Sequence, residues 1–303
     1  MTGRLRVLIS YWYGRRYPVG ELQGLFEGAD VILDSGAFSA HTLGVAITVE
    51  EYADWLRSWS GRAVAAFSLD VIGDPVASLD NYRRLADADT GLTILPVFHA
   101  GTAARHLDTL LDEGVTYLGF GGLVEHSRAR TAVTRWAAWH LRRCAQAGAV
   151  VHVLGSTGCV VRDLPFYSCD SSSWMKGGRG YACAWNPRKR LVEQVMFRSP
   201  VRVSAAWGVL RASGYDLGRL HGPRFLEPGS PDRAADREYL FTMSARAYFQ
   251  MEQGLSAHRV IPAPLALSPN ADPGTKVYLA ATSREEFRYL IAAWAAHTER
   301  TSV

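Results

Sequence analysis

Short apolar runs alternate along the chain with longer stretches in which apolar residues recur every three or four positions. The runs predict strands over residues 4–12, 31–34, 63–71, 92–98, 116–120, 150–154 and 166–169. Between them the longer period predicts helices over 49–59, 79–88, 103–112 and 128–147. In the first helix Tyr52, Trp55 and Leu56 share one face. Val31, Ile32 and Leu33 form an unbroken apolar run, the pattern of a strand buried on both sides. Strict alternation of this kind implies parallel strands joined by right-handed crossovers. Seven such strands suit a closed (β/α)8 TIM barrel better than an open, doubly wound sheet. The eighth strand is either 201–206 or 276–281, and the latter leads into an amphipathic helix at 285–297. Residues 222–236 are rich in Pro, Gly and charge and read as an exposed loop, followed by a helix over 239–253. We therefore expect one barrel domain over 1–303, with 207–275 an insertion or helical appendage.

Parallel strands of a barrel share one C-terminal rim, where active sites of that fold are built. The residues at the predicted strand ends are Asp34, Asp70, His99, Gly121 with Gly122, Gly155 and Asp170. Three carboxylates, an imidazole and several glycines would thus face one pocket. Each also has a structural reading. Asp34 could cap the next loop, Asp70 the turn before Asp74–Pro75, and Asp170 a helix starting at Ser171; His99 could be a hydrogen-bonded core histidine. GFGG at 119–122 lacks the frame of a phosphate loop, and the serines lack a nucleophile elbow.

Composition narrows the field only a little. At 303 residues and 48% hydrophobic, the chain can bury a large core. No run of 18 apolar residues and no signal-peptide pattern is present, so a soluble cytoplasmic protein without a membrane partner is expected. The net charge of +4 is mild for a nucleic-acid binder, although of the 33 basic residues only Lys176, Lys189 and Lys276 are lysines. Cys144, Cys159, Cys169 and Cys183 form no CxxC pair, so reduced thiols are expected, with Cys144 buried in a helix. The three aspartates could ligate Mg²⁺, but no HxH or HExxH spacing supports a metal centre, and no metal or cofactor is expected. Paired carboxylates with different tasks suit glycosidic chemistry, one attacking the anomeric carbon while the other moves a proton.

The motifs resemble those of the tRNA-guanine transglycosylase superfamily over residues 31–180, in order and spacing rather than in overall identity. DSGAF at 34–38 is similar to that family's DSGG followed by an aromatic. The resemblance implies that Asp34 is the general acid/base and that Phe38 stacks on the base. SLD at 68–70 resembles the segment whose aspartate, here Asp70, reads the guanine edge. FHAG at 98–101 stands where the family has a QGG-type motif, with His99 in place of glutamine. FGGL at 120–123 resembles the turn whose backbone, here at Gly121 and Gly122, contacts the base. Leu154 and Gly155 match the apolar residue under the base and the glycine after it. Asp170 matches the nucleophile, with Lys176 and Arg179 near the family's downstream basic positions.

Two departures point away from tRNA. The CxCxxC…H zinc subdomain has no counterpart, and SSSWMKGGRG follows Asp170 where Pro-Thr-Arg is usual. Both resemble the short phage and bacterial relatives that insert 7-deazaguanines into DNA. The resemblance therefore implies exchange of DNA guanine for a preQ0-like base through a covalent aspartyl-glycosyl intermediate. Trp174 is a candidate wedge for a flipped base, with a core tryptophan as its alternative. Lys176, Arg179, Arg188, Lys189 and Arg190 are candidate phosphate contacts, with a solvated basic face as theirs. DNA, the incoming 7-deazaguanine and released guanine are the expected partners, alongside a homodimer or a DNA-opening protein as candidates. The alternatives are the same chemistry on tRNA, a non-catalytic nucleic-acid-binding subunit, and an unrelated barrel hydrolase acting on a small nucleoside.

Overall fold

The computed structural model describes residues 4–123, 130–197, 200–222, 224–259, 261–264, 267 and 273–301. Its strands are β1 (Arg6–Ser10), β2 (Asp30–Asp34), β3 (Ala65–Phe67), β4 (Ile94–Leu95), β5 (Val97–His99), β6 (Tyr117–Gly121), β7 (Val150–Val153), β8 (Ser168–Ser171), β9 (Tyr181–Asn186), β10 (Leu191–Met196) and β11 (Lys276–Ala280). The helices of the first half are α1 (Tyr11–Gly14), α2 (Val19–Leu25), α3 (Ala37–Thr42), α4 (Val49–Arg57), α5 (Pro75–Ala86), α6 (Ala104–Asp112) and α7 (Arg130–Gln146). Those of the second half are α8 (Cys159–Asp163), α9 (Pro200–Ala212), α10 (Leu217–Leu220), α11 (Arg233–Ser256) and α12 (Arg284–Thr301). The predicted start of the long helix, 128–129, lies outside the described residues.

Nine strands form one parallel sheet in the order β4-β3-β2-β1-β11-β8-β7-β6-β5. Its two ends are consecutive in the chain, separated only by Pro96, which has no N–H to give a ladder. On one side the Leu95 carbonyl accepts from Ser68 N (2.8 Å); on the other, the Pro96 carbonyl accepts from Gly119 N (2.8 Å). The sheet is therefore nearly closed and barrel-like, with 94–99 completing the ring.

Alternation along each strand divides the core into two shells. Leu8, Ile32, Ala65, Phe67, Leu95, Tyr117, Val150, Tyr167 and Tyr278 fill the inside. Their neighbours Val7, Leu33, Leu118, Val151 and Leu279 face out onto helical residues such as Tyr52, Leu85, Leu107, Cys144 and Phe287. The helices start where the sequence signals them: Thr48 Oγ1 accepts from Glu51 N (3.1 Å) to cap α4, and Asp74 caps α5 with Pro75 at its first position.

One open choice is settled, one predicted strand is shortened and one element is new. The eighth strand is β11, whereas 201–206 lies in α9, where Ala206 and Leu210 fall four apart on a buried face. The predicted strand 63–71 shortens to Ala65–Phe67, freeing Ser68–Asp70 to form the rim. The antiparallel pair β9–β10 was not expected. With α9, α10 and one side of α11 it forms a cluster beside the barrel, while Tyr248, Phe249 and Met251 of α11 join the main core.

Candidate active site

The inward phase of each strand runs upward from the apolar filling into polar residues. Two positions beyond Ile32 stands Asp34, beyond Val97 His99, beyond Gly119 Gly121, beyond Val150 His152, and beyond Ser168 Asp170. Because every strand points the same way, Ser10, Asp34, His99, Gly121, Asp170 and Ala280 ring one mouth. Register ties them together: Ser10 pairs with Asp34, His99 with Gly121, and Tyr278 with Asp170.

The three aspartates occupy different surroundings. Asp170 is buried; its Oδ1 accepts from Gly155 N (2.6 Å) and from His152 Nε2 (3.1 Å). It belongs to β8 and caps no helix. Asp34 accepts from Gly36 N (2.9 Å) through Oδ2. Burial, reinforced by the negative charge of Asp170 and then Asp70, pushes its pKa up to about 7, against the lowering effect of Gly36 N–H and the Ser10 hydroxyl. Asp70 bonds His99 Nε2 through Oδ2 (2.9 Å). Burial raises its pKa, and the His99 bond and the nearby Ser68 hydroxyl hold the rise back. Asp74, not Asp70, caps the following helix.

Three buried polar atoms at this mouth have no partner in hydrogen-bond geometry: Ser10 Oγ, Ser68 Oγ and Asp70 Oδ1. The two hydroxyls stand beside Asp34 and Asp70, close enough to ease the ionised carboxylates without completing a bond of good geometry. Around the mouth the walls are shaped by glycines. A Cβ on Gly121 would lie 2.6 Å from the His99 ring, so only glycine leaves room for the imidazole that holds Asp70. A Cβ on Gly36, at φ +73°, would stand 2.4 Å from Ser10 Oγ. Leu154 Cδ1 leans across Gly119, and Phe38 on α3 is 60% exposed at the rim.

No family model matches the chain, and no curated protein does. The site therefore rests on its own geometry.

The structure brings Asp34, Asp70, His99, Gly121, Gly122, Leu154, Gly155 and Asp170 to one end of the sheet, with Phe38 beside them. The Gly155 N–H is bound to Asp170 Oδ1. Of its two readings, Trp174 takes that of a core tryptophan. Its side chain is fully buried, its Nε1 donates to the Ala280 carbonyl (2.8 Å), and it packs on Phe241, so no wedge is available.

The basic residues divide. Lys176 and Arg179 sit on the 3₁₀ segment Ser173–Arg179 that follows β8, where Lys176 Nζ donates to Gln194 (2.9 Å). Arg188, Lys189 and Arg190 form the β9–β10 turn, organised by Asn186 Oδ1 accepting from the first two amides. That turn lies near Asp163, whose pKa is held down by Arg162 and then by Arg190 and Arg259. Arg259 also binds the Leu164 carbonyl on the approach to β8, so the turn belongs to the opposite end of the barrel from Asp170.

His152, Ser168 and Tyr117 were missed. A histidine on the inward phase of a buried strand, two residues before Leu154, was the available signal. Among the described residues no three His, Cys, Asp or Glu side chains are grouped to hold a metal ion. A groove of about 550 Å³ between α4 and α5 is lined by ion-paired side chains, Arg84 with Glu50 and Arg57 with Asp54, and carries none of the orphaned atoms. No described helix is long and apolar enough to cross a membrane.

Proposed function

We propose that the protein is a transglycosylase exchanging guanine in DNA for a 7-deazaguanine through a covalent aspartyl-glycosyl intermediate. The observation that carries this is a pair of aspartates at one barrel mouth, set apart in role by their surroundings: Asp170 with one oxygen tied by two N–H groups, and Asp34 pushed up to about 7 by burial and the facing charge. The strand count, with 94–99 taken once, is read as the eight of a (β/α)8 barrel without a zinc subdomain.

In this reading Asp170 Oδ2 attacks C1′ of a flipped deoxyguanosine as the C1′–N9 bond breaks. The electron pair goes to N9, and protonated Asp34 supplies the proton there. Guanine leaves and the 7-deazaguanine takes its place. Asp34 accepts the incoming N9 proton, N9 bonds to C1′, and the C1′–Oδ2 pair returns to the Asp170 carboxylate. Asp70 Oδ1, buried without a partner, suits the N–H edge of guanine, and His99 holds the carboxylate that offers it. Phe38 and Leu154 would enclose the ring. Flipping the base costs about a few kcal/mol, which backbone contacts from Lys176 and Arg179 would offset. The setting is the cytoplasm, where such DNA is available.

The test is incorporation of labelled guanine into duplex DNA, single-stranded DNA and tRNA, with denaturant-stable adduct measured alongside. Wild type should label DNA and form the adduct, while Asp170→Asn should do neither. Labelling of tRNA alone would move the substrate to RNA. Exchange retained by D170N would remove the nucleophile assignment, and no exchange with any polymer would leave a binding subunit or a nucleoside hydrolase.

A further inference from the structure

Behind Asp170 runs a line of buried hydrogen bonds that the proposed chemistry does not use. His152 is completely buried on β7, its ring packed edge-on against Phe67 at 4.9 Å. Its Nε2 lies 3.1 Å from Asp170 Oδ1 and its Nδ1 2.7 Å from Ser168 Oγ, which is itself 2.6 Å from the Tyr117 hydroxyl. The directions follow from what each atom can do. A carboxylate only accepts, so Nε2–H donates to Asp170. In a neutral imidazole Nδ1 then accepts, so the Ser168 hydroxyl donates to it, and the Ser168 oxygen accepts from Tyr117 O–H.

We infer that His152 is the positioning residue of Asp170, locked as the Nε2–H tautomer by Ser168 and Tyr117 so that Oδ1 is fixed and Oδ2 is the attacking atom. The inference rests on the transglycosylase reading for its chemical meaning. Gly155 N–H, the second donor to Oδ1, converges with His152 on one oxygen. Once the sugar is bound through Oδ2, Oδ1 becomes the ester carbonyl, held by the same two donors. When the new base attacks C1′, they stabilise the departing carboxylate. In the first half-reaction the pair fixes the direction of Oδ2; in the second it acts as oxyanion donors do, where charge returns. His152, Ser168 and Tyr117 are all buried behind Asp170 and act through it.

His152→Phe keeps a ring against Phe67 but removes both nitrogens. Its adduct-forming rate should fall about 10²-fold, the order expected when an attacking atom loses its positioning, with KM for the base changed less than about twofold. His152→Gln, whose amide can still donate, should recover a good part of that rate. A merely structural role would move neither selectively. Nitrogen-15 NMR of the wild type supplies a readout independent of activity: the His152 signals should be those of an imidazole protonated at Nε2 alone, and Ser168→Ala should shift them towards a tautomer mixture. An Nδ1-protonated ring, or an H152F rate equal to wild type, would overturn the inference. If H152F does not fold, H152Q and S168A still decide it. Absence of adduct in wild type with every nucleic acid would defeat the functional reading instead, and the NMR result would stand separately.

Discussion

Replacing Asp34 by asparagine tests the electrostatics of the mouth without reference to any substrate. Aspartate ordinarily titrates at 3.8, whereas burial and the facing Asp170 push Asp34 to about 7. Between those values the folded protein keeps a proton that the unfolded chain has released. Stability is therefore fully present below the lower value and lost as pH rises through the upper one, at about 1.4 kcal/mol per pH unit. Over the whole interval the loss is about 4 kcal/mol. Asparagine carries no charge and can still accept from Gly36 N through its carbonyl, so D34N escapes this loss. Urea unfolding of both proteins should give a difference that grows from about pH 4 and levels off above about pH 7, with D34N about 4 kcal/mol further ahead at the plateau than at the start. The same variant should lose base exchange at every pH, becoming more stable and inactive together. A difference that stays flat between about pH 4 and pH 8 would mean that Asp34 ionises as in water, and the acid/base role would lose its physical basis.

Other outcomes follow from single contacts. Gly121→Ala puts a methyl against the His99 ring and should cost about 1–3 kcal/mol, read by thermal or urea unfolding; adding His99→Ala should return part of it, because the ring makes the two closest contacts at 2.6 Å while Val97 Cγ1 remains at 3.1 Å. Thr48→Ala removes the cap of α4 and should cost about 1 kcal/mol without altering base exchange. Lys176→Ala with Arg179→Ala should weaken DNA binding and flatten its salt dependence, whereas alanines at Arg188, Lys189 and Arg190 should leave both unchanged at the barrel mouth. Equal losses from the two sets, measured by fluorescence anisotropy, would show that the nucleic acid reaches the opposite end.

Most of the barrel was legible because its strands are buried on both faces and read as unbroken apolar runs. Asp34, His99 and Asp170 were legible for a related reason, since a polar residue ending such a run must face the mouth. The hairpin at 181–196 was not, because its signal depends on Asn186 turning back on two amides and on Arg190 at φ +52°, a conformation no apolar period announces. Trp174 stayed open between wedge and core because adjacency in sequence to Asp170 does not say which way a side chain points; the ring turns inward to the Ala280 carbonyl. His152 escaped notice inside its strand, where an imidazole among valines looks like filling. Only the position of Asp170 on the neighbouring strand gives it a task.

The place of β11 in the sheet carries a consequence for how the protein comes into being. Asp34 on β2 and Asp170 on β8 are separated in the ring by β1 and β11, and β11 is drawn from residues 276–280, long after β8. Until that strand slides between its neighbours, the half of the sheet holding Asp34 and the half holding Asp170 have two raw edges instead of a shared wall. Pairing over so long a separation in sequence is slow and comes late. The two carboxylates therefore meet, and the charge of Asp170 begins to raise the proton affinity of Asp34, only at the closing event of folding. A chain caught earlier would have every chemical group of the site and none of its electrostatic tension.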